Sequence, residues 1–355
     1  MYRHGHAPAG VRQHLFFLLV IIAAAALVTL VGCNNGSHKL IPPTPTAAGA
    51  TYVGRETCKT CHPAIDTDYN TQKHAQNFHT AHPPNDLITG LGGKCAACHV
   101  TGFGESGGYD PAHPASVVSL RMEGIQCESC HGAGSNHAAN PSKTNINRVP
   151  IAKSTCYHCH VGSYKQLDNP VAAKTDADLA SAKPSAVSGP HHPQALYFEG
   201  KGGFGVTDMP GMHAKTVPNQ CVTCHLQPNI SSTTGKVDHS AETLDVDFSA
   251  CNTCHIDGEA TFEASEADIV AQLIEMGGVD ATDATLPDAT ANGGLLAAYA
   301  AANNITDASD PTLQVVKNYK AARYNYLYII ADKSHGAHNI SFTRRLLTDA
   351  RAKLQ

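Results

Sequence analysis

Hydrophobic and polar positions divide this chain into three unlike stretches. Leu15 to Val31 is a nearly unbroken apolar run. After it comes a long polar segment, rich in Gly and Pro. Ordinary amphipathic helix signals appear only beyond His255. There, Ser265 is a candidate N-cap with Asp268 three residues on, Ile269, Val270, Leu273 and Ile274 share one face, and Gly277-Gly278 can end the helix. Asp280 to Gly294 reads as loop. Asp310-Pro311, a cap followed by Pro, predicts the start of a second helix through Val315, Val316, Tyr319, Tyr324 and Leu327 to Ile330, whose Tyr-rich face packs inward. A basic, Leu-containing helix is predicted from about Ser341. Earlier in the chain Pro63 to Phe78 reads as one helix, and the Ala, Lys and Asp stretch from Val171 to Val187 as a surface excursion. The fold class predicted is mainly α with much irregular structure.

The apolar run follows a segment that carries Arg3 and Arg12 and no acid, which is the layout of an export signal. An uncleaved membrane anchor, at the short limit for spanning a bilayer, and a signal without lipid remain alternatives. All of these put the body of the protein outside the cytoplasm. Asn34 to Ala50, with Pro42, Pro43 and Pro45, reads as a flexible tether.

Composition sharpens the middle of the picture. The chain has no Trp, and Gly and Pro together account for 50 of its 355 residues, so large apolar side chains for an ordinary core are scarce. Without the first segment, 23 Lys and Arg face 30 Asp and Glu, a balance that argues against nucleic acid as a partner.

Cysteine supplies the chemistry. Cys58-Lys59-Thr60-Cys61-His62 is a CxxCH unit, in which two thiols one helical turn apart form thioethers with a haem edge and the following His binds iron. The unit recurs as Cys95, Cys98 and His99; Cys127, Cys130 and His131; Cys156, Cys159 and His160; Cys221, Cys224 and His225; and Cys251, Cys254 and His255. Zinc knuckles pair CxxC units without requiring His after the second Cys, so six His-terminated copies predict six c-type haems. Twelve of thirteen cysteines are consumed, leaving Cys33 and no disulfide framework. The motif starts are 37, 32, 29, 65 and 30 residues apart, which is not the fixed period of a solenoid. Six porphyrins would supply the apolar core that the composition lacks.

Twelve His remain once the six proximal ones and His4, His6, His14 and His38 are set aside, enough for a second His on every iron. With Pro63 to Phe78 as one straight helix, His74 lies about 18 Å along the axis from His62 and is expected to bind a neighbouring haem. His137, six residues after His131, has too little chain to round its own haem edge and is also expected to reach across. One of His191 and His192, and His213 ahead of Cys221, are further distal candidates.

Several stretches resemble the cytochrome c-554 family, within the wider group of pentahaem nitrite reductases and octahaem hydroxylamine oxidoreductases. They are Tyr52-Val53-Gly54, His74-Ala75, His99 to Gly104 with Gly107-Gly108, and Gly124 to His137. The resemblance implies a haem-cored fold with a stacked haem chain, and it puts His74 and His137 where that family has ligands. Asp332-x-Ser334-x-Gly336-x-His338-Asn339 resembles the C-terminal helical region of the nitrite reductase group, which implies a distal role for His338 and leaves His335 without one. Leu30-Val31-Gly32-Cys33 resembles a bacterial lipobox, implying cleavage before a lipidated Cys33. The domain boundaries that follow are 1–33 signal, 34–50 tether, 51–170 cytochrome c-554-like region with four motifs, and 171–355 C-terminal region with two motifs and long helices.

The leading functional expectation is an exported, lipid-anchored carrier at the periplasm, outer membrane or cell surface. It would pass electrons between other redox proteins, such as periplasmic carriers or outer-membrane conduits. One alternative is a reductase or oxidase of a small nitrogen or sulfur oxyanion at one five-coordinate haem. The absence of a CxxCK unit weighs against it, and the Cys95 to His99 motif is the candidate for any open iron. The other is a repeating subunit of a haem filament.

Overall fold

The computed structural model describes residues 49–76, 95–142, 144–146, 153–161, 174–226, 229–230, 237–239 and 242–355. Cys33, the apolar run and the tether before residue 49 lie outside the described residues, as does the boundary expected near residue 170. The chain is mainly helical with long irregular connections. Among the described residues the only paired strands are the short antiparallel ribbon of β1 (Asn229–Ile230) and β2 (Val237–His239). No helix among the described residues is long and apolar enough to cross a membrane.

Four helices build the C-terminal core. Helix α1 spans Gly258–Gly277, α2 Gly294–Ala302, α3 Gln314–Asp332 and α4 Ile340–Lys353. α1 buries Ile269, Leu273 and Met276, a spacing of four and three that keeps them on one face. Its start differs from the sequence expectation. The cap is Asp257, whose carboxylate accepts from the Ala260 N–H at 3.1 Å, and Ser265 lies inside the helix. Gly258 is required at that entry, because a Cβ there would stand 2.2 Å from the Cβ of Cys251. The end is as expected, with Gly278 at φ 90. α2 follows the expected Asp280 to Gly294 loop in a stretch to which the sequence reading assigns no element; its run of Leu and Ala carries no polar face to signal it.

α3 starts at Gln314, later than Asp310-Pro311. The Asp310 carboxylate instead accepts from the Thr312 N–H at 2.8 Å and closes a turn before the helix. The helix is buried on nearly all sides from Tyr319 to Ile329, the signature of a central helix. Its buried polar groups are satisfied. Arg323 donates to the carbonyls of Val187, Ala291, Ser185 and Thr290 at 2.7–3.3 Å. Asn325 accepts from the Phe204 N–H and donates to the Phe204 carbonyl. The tyrosines therefore pack in protein core, with Tyr197, Tyr328 and Phe342 edge to face at 5.3–6.0 Å. α4 is capped by the Asn339 side chain, which accepts from Phe342 N–H.

The N-terminal part is organised differently. Its helices are short, and three of them, Arg55–Cys61, Ala96–His99 and Cys127–His131, carry attachment motifs. Helix Pro63–Asn70 stops at Thr71-Gln72 before residues 73–76 turn helical again, so Pro63 to Phe78 is not one helix and the straight-axis distance to His74 does not apply. Polar ties hold this part together. The buried Glu128 carboxylate accepts from the N–H groups of Val53, Gly54 and Gly134 at 2.7–3.1 Å. Gln126 accepts from Arg55 N–H and donates to the Arg121 and Glu123 carbonyls. Gly108 packs so closely on Gly102 that a Cβ would lie 2.0 Å from the Gly102 carbonyl oxygen. The Val171 to Val187 excursion is exposed along much of its described part, yet its Leu179, Ala182 and Val187 pack into the C-terminal core.

Candidate metal centres

All twelve motif cysteines are described, and none is in a disulfide. The motifs abut one another. The Cys58 and Cys127 thiols lie within hydrogen-bonding reach, as do Cys98 and Cys159, and Cys156 and Cys221. Cys130 interacts electrostatically with Cys156 and Cys159, and Cys251 with Cys224. The first motif thus neighbours the third, the third the fourth, the fourth both the second and the fifth, and the fifth the sixth.

The motif histidines face other imidazoles. His62 stacks with His137 at a ring separation of 6.2 Å and 19°, His225 meets His338 at 6.2 Å, and His255 meets His213 at 6.2 Å. His160 lies 5.9 Å from His74 and 5.7 Å from His192, and His99 lies 6.0 Å from His191 and 5.9 Å from His192. These separations have a chemical meaning. Metal–imidazole bonds of about 2.0–2.1 Å, with each ring centre about 1.2 Å behind its nitrogen, would separate two rings on one metal by roughly 6.5 Å. The rings stand within about 1 Å of the distance an iron between them would require. In every case the two rings come from different motifs or from outside the motifs, so each pairing bridges separate parts of the chain.

His99, His191 and His192 hold their ligand atoms within 4.8 Å of one another. His99 therefore faces two candidate imidazoles, which runs against reading the second motif as the open one. His192 sits at φ 47, a left-handed conformation uncommon outside Gly, and its ring is the one shared between His99 and His160.

Hydrogen bonds orient these rings. The Nδ1 of His160 meets Gln194 Oε1 at 2.7 Å, that of His225 the Leu244 carbonyl at 2.9 Å, and that of His213 the Ala337 carbonyl at 2.9 Å. His137 Nδ1 meets the Ser142 carbonyl at 3.0 Å, and His74 Nδ1 meets Gln72 Oε1 at 3.3 Å. His338 Nδ1 meets the buried Asp332 carboxylate at 2.8 Å. An Nδ1–H donated to such an acceptor leaves Nε2 neutral and free for metal. Burial supports the neutral form. It pushes His74 down to about 4 and His192 to about 3, with neighbouring imidazoles adding to the effect, and it lowers His160 and His225. At His338 burial pulls downward too, but the Asp332 carboxylate outweighs it and the net shift is upward. Neutral paired imidazoles, abutting thiols and backed Nδ1 atoms form a donor set that fits haem iron.

His131 is arranged differently. Its Nε2 lies 3.5 Å from Oε1 of Glu242, and no imidazole faces it among the described residues. His335 pairs with Glu266 at 2.7 Å and stands apart from the other rings, so a ligand role is not supported for it. Sequence reading missed Glu242 and Gln194, because their partners lie far away in the chain and a lone Glu or Gln carries no local signal. Gln72 and Asp332 lie only two and six residues from His74 and His338, but nothing in the sequence assigned them a role.

Comparison with known proteins bears on this arrangement. A family described as cytochrome c554 and c-prime matches residues 57–132, and one described as cytochrome c552 matches residues 204–355. Cytochrome c-554 of Nitrosomonas europaea is 30% identical over 135 residues, 35% of this chain and 52% of that protein. The chain thus matches about half the length of this curated relative. Among solved structures, the outer cell wall cytochrome OcwA is similar over 86% of this chain and 100% of its own, at 17% identity and a TM-score of 0.34. An undecahaem cytochrome from the S-layer of Carboxydothermus ferrireducens covers 88% of this chain and 70% of its own, at 18% identity and a TM-score of 0.26. The cytochrome c nitrite reductase of Desulfovibrio desulfuricans covers 66% and 56%, at 18% identity and a TM-score of 0.38.

Proposed function

Because the chain is a multihaem c-type cytochrome of the cytochrome c-554 family, we propose that it binds six haems, one at each CxxCH motif, and that its role is to carry electrons between other redox proteins. The bound haems supply one-electron redox chemistry; everything else is done by the chain. The observation that carries the reading is that five of the six motif histidines face a second imidazole at 5.7–6.2 Å. Two imidazoles would fill both ligand positions that the chain offers an iron held between them, leaving no place for substrate and favouring electron transfer over chemistry. We assign His137 to the His62 site, His74 to His160, one of His191 and His192 to His99, His338 to His225 and His213 to His255.

The abutting motifs support a wire and give it an order. Sites one, three, four, five and six follow in sequence, and site two branches from site four. Residues 51–170 would form the c-554-like part, and 171–355 would extend the wire through two further sites. Export of the chain, removal of residues 1–32 and lipidation of Cys33 would hold it at a membrane surface outside the cytoplasm. Donor and acceptor are then carriers that can dock near either end of the wire.

Haem content by pyridine haemochrome, with low-temperature EPR of the oxidised protein, tests this reading. Six haems per chain with at least five low-spin irons is the expected result. Two or more high-spin irons would overturn it, and singly replacing His137, His74, His213 or His338 by Ala should convert one low-spin iron to high spin.

A further inference from the structure

His131 departs from the pattern of the other five motif histidines. Its Nε2, the atom an iron at Cys127 and Cys130 would bond, faces Glu242 Oε1 at 3.5 Å, and both side chains are largely covered, at 27 and 19% exposure. Two axial ligand atoms on one iron stand about 4 Å apart, so the carboxylate occupies the place of a sixth ligand. The backbone at Glu242 is fixed. Its carbonyl accepts from Nε2 of Gln72, which is 8% exposed and whose Oε1 also meets Nδ1 of His74. Gln72 therefore joins this site to the imidazole facing His160. The buried Tyr69 lies close enough to Cys127, Cys130 and Glu242 to feel all three, and its hydroxyl donates to the Ile125 carbonyl beside the motif.

We propose that the haem held by Cys127, Cys130 and His131 is faced on its other side by the Glu242 carboxylate instead of an imidazole, and that this iron takes up a small neutral ligand from solution. This rests on the reading that each motif holds a haem. A carboxylate is a weaker-field ligand than imidazole, so the iron is high-spin and its sixth position exchanges. The negative charge disfavours anions and favours neutral molecules, above all those that can donate a hydrogen bond to Glu242, such as hydroxylamine. Nitrite and sulfite are disfavoured for the same reason.

The test uses the full-length haem-loaded protein, with haem counted per chain and the attachment peptides mapped by mass spectrometry. The reduced protein is titrated with CO, and the oxidised protein with hydroxylamine and with nitrite. The proposal expects one CO bound per chain, one high-spin iron in the EPR spectrum, and at least tenfold tighter binding of hydroxylamine than of nitrite. Glu242→His should abolish CO binding and the high-spin signal at unchanged haem content, and Glu242→Gln should keep CO binding while narrowing the preference over nitrite severalfold. A wild-type protein that binds no CO would overturn the proposal. So would CO binding that appears only after a histidine, such as His239, is replaced by Ala, since the sixth ligand would then be that imidazole. A missing haem on the Cys127–Cys130 peptide would instead overturn the premise of six loaded motifs, leaving the two failures distinguishable.

Discussion

The segment from residue 49 to 161 and the four helices from 258 onward reach order by different means. The C-terminal core gathers 21 buried apolar residues, among them Ile269, Leu273, Tyr326, Phe342 and Leu346. Among the described residues the cluster in the N-terminal segment has seven, Ala50, Tyr52, Ala96, Val100, Tyr109, Met122 and Ala133, of which two are Tyr and three Ala. Ordering a residue costs about 1–2 kcal/mol in backbone entropy, and a fully buried large apolar side chain returns about 1.5–3 kcal/mol. The seven small or mixed side chains found among the described residues offset far less of that ordering than the 21 around a central helix. The difference is the one expected if the first segment completes its core with haem while the second supplies its own.

The largest effect follows directly. Replacing all twelve motif cysteines by Ala should leave residues 49–161 open to protease while α1, α3 and α4 stay protected, as read by limited proteolysis with mass spectrometry and by far-UV circular dichroism. Simultaneous loss of both segments would break the comparison. Next in size, Phe342→Ala should cost about 3–5 kcal/mol in denaturant unfolding, because the ring is fully buried among Tyr197, Tyr328 and Gly203. In the haem-loaded protein Met122→Ala, equally buried but in the smaller cluster, should cost about 2 kcal/mol. An inverted order would mean that the N-terminal apolar cluster matters more than its size suggests.

A smaller change probes the polar ties that stand in for that core. Glu128 is 1% exposed and accepts three backbone N–H groups from two distant segments. Glu128→Gln exchanges charge-assisted bonds for neutral ones and turns a donor toward those N–H groups, at a cost of about 1.5–3 kcal/mol. Hydrogen exchange should quicken at Val53, Gly54 and Gly134 and stay unchanged in α3.

What could be read from the chain alone follows the same division. The CxxCH units are local, so all six stand in the sequence together with the His that follows each second Cys. Helix ends set by glycine were legible too, as at Gly277-Gly278. Helix starts were less so. Ser265-x-x-Asp268 imitates a cap inside α1, and Asp310-Pro311 spends its signal on a turn ahead of α3. The mate of each motif histidine was out of reach, because His74 and His160, or His213 and His255, meet only through the tertiary fold. Glu242 opposite His131 was invisible for the same reason.

The smallest expected effect bears on how each region tunes its metal sites. In the N-terminal region His137 rests on the neutral acceptors Ser142 and Asn145, and His74 on Gln72. His338, in the connection between α3 and α4, rests on a carboxylate, that of Asp332 at the end of α3, which is 2% exposed and also accepts from the Ser334 hydroxyl. A carboxylate drawing on Nδ1–H makes the imidazole a stronger donor, which stabilises ferric over ferrous iron and lowers the potential. Asp332→Asn removes that charge while keeping an acceptor oxygen in place. One haem potential should rise by roughly 30–60 mV, up to about a tenfold change for a one-electron couple, with the number of low-spin irons unchanged. A spectroelectrochemical titration of wild type and variant reads this directly. Asn145→Ala beside His137 should move its haem by less, since a neutral partner is lost and the Ser142 carbonyl remains. Equal shifts in the two variants would show that charge at the second partner is not what separates the two regions.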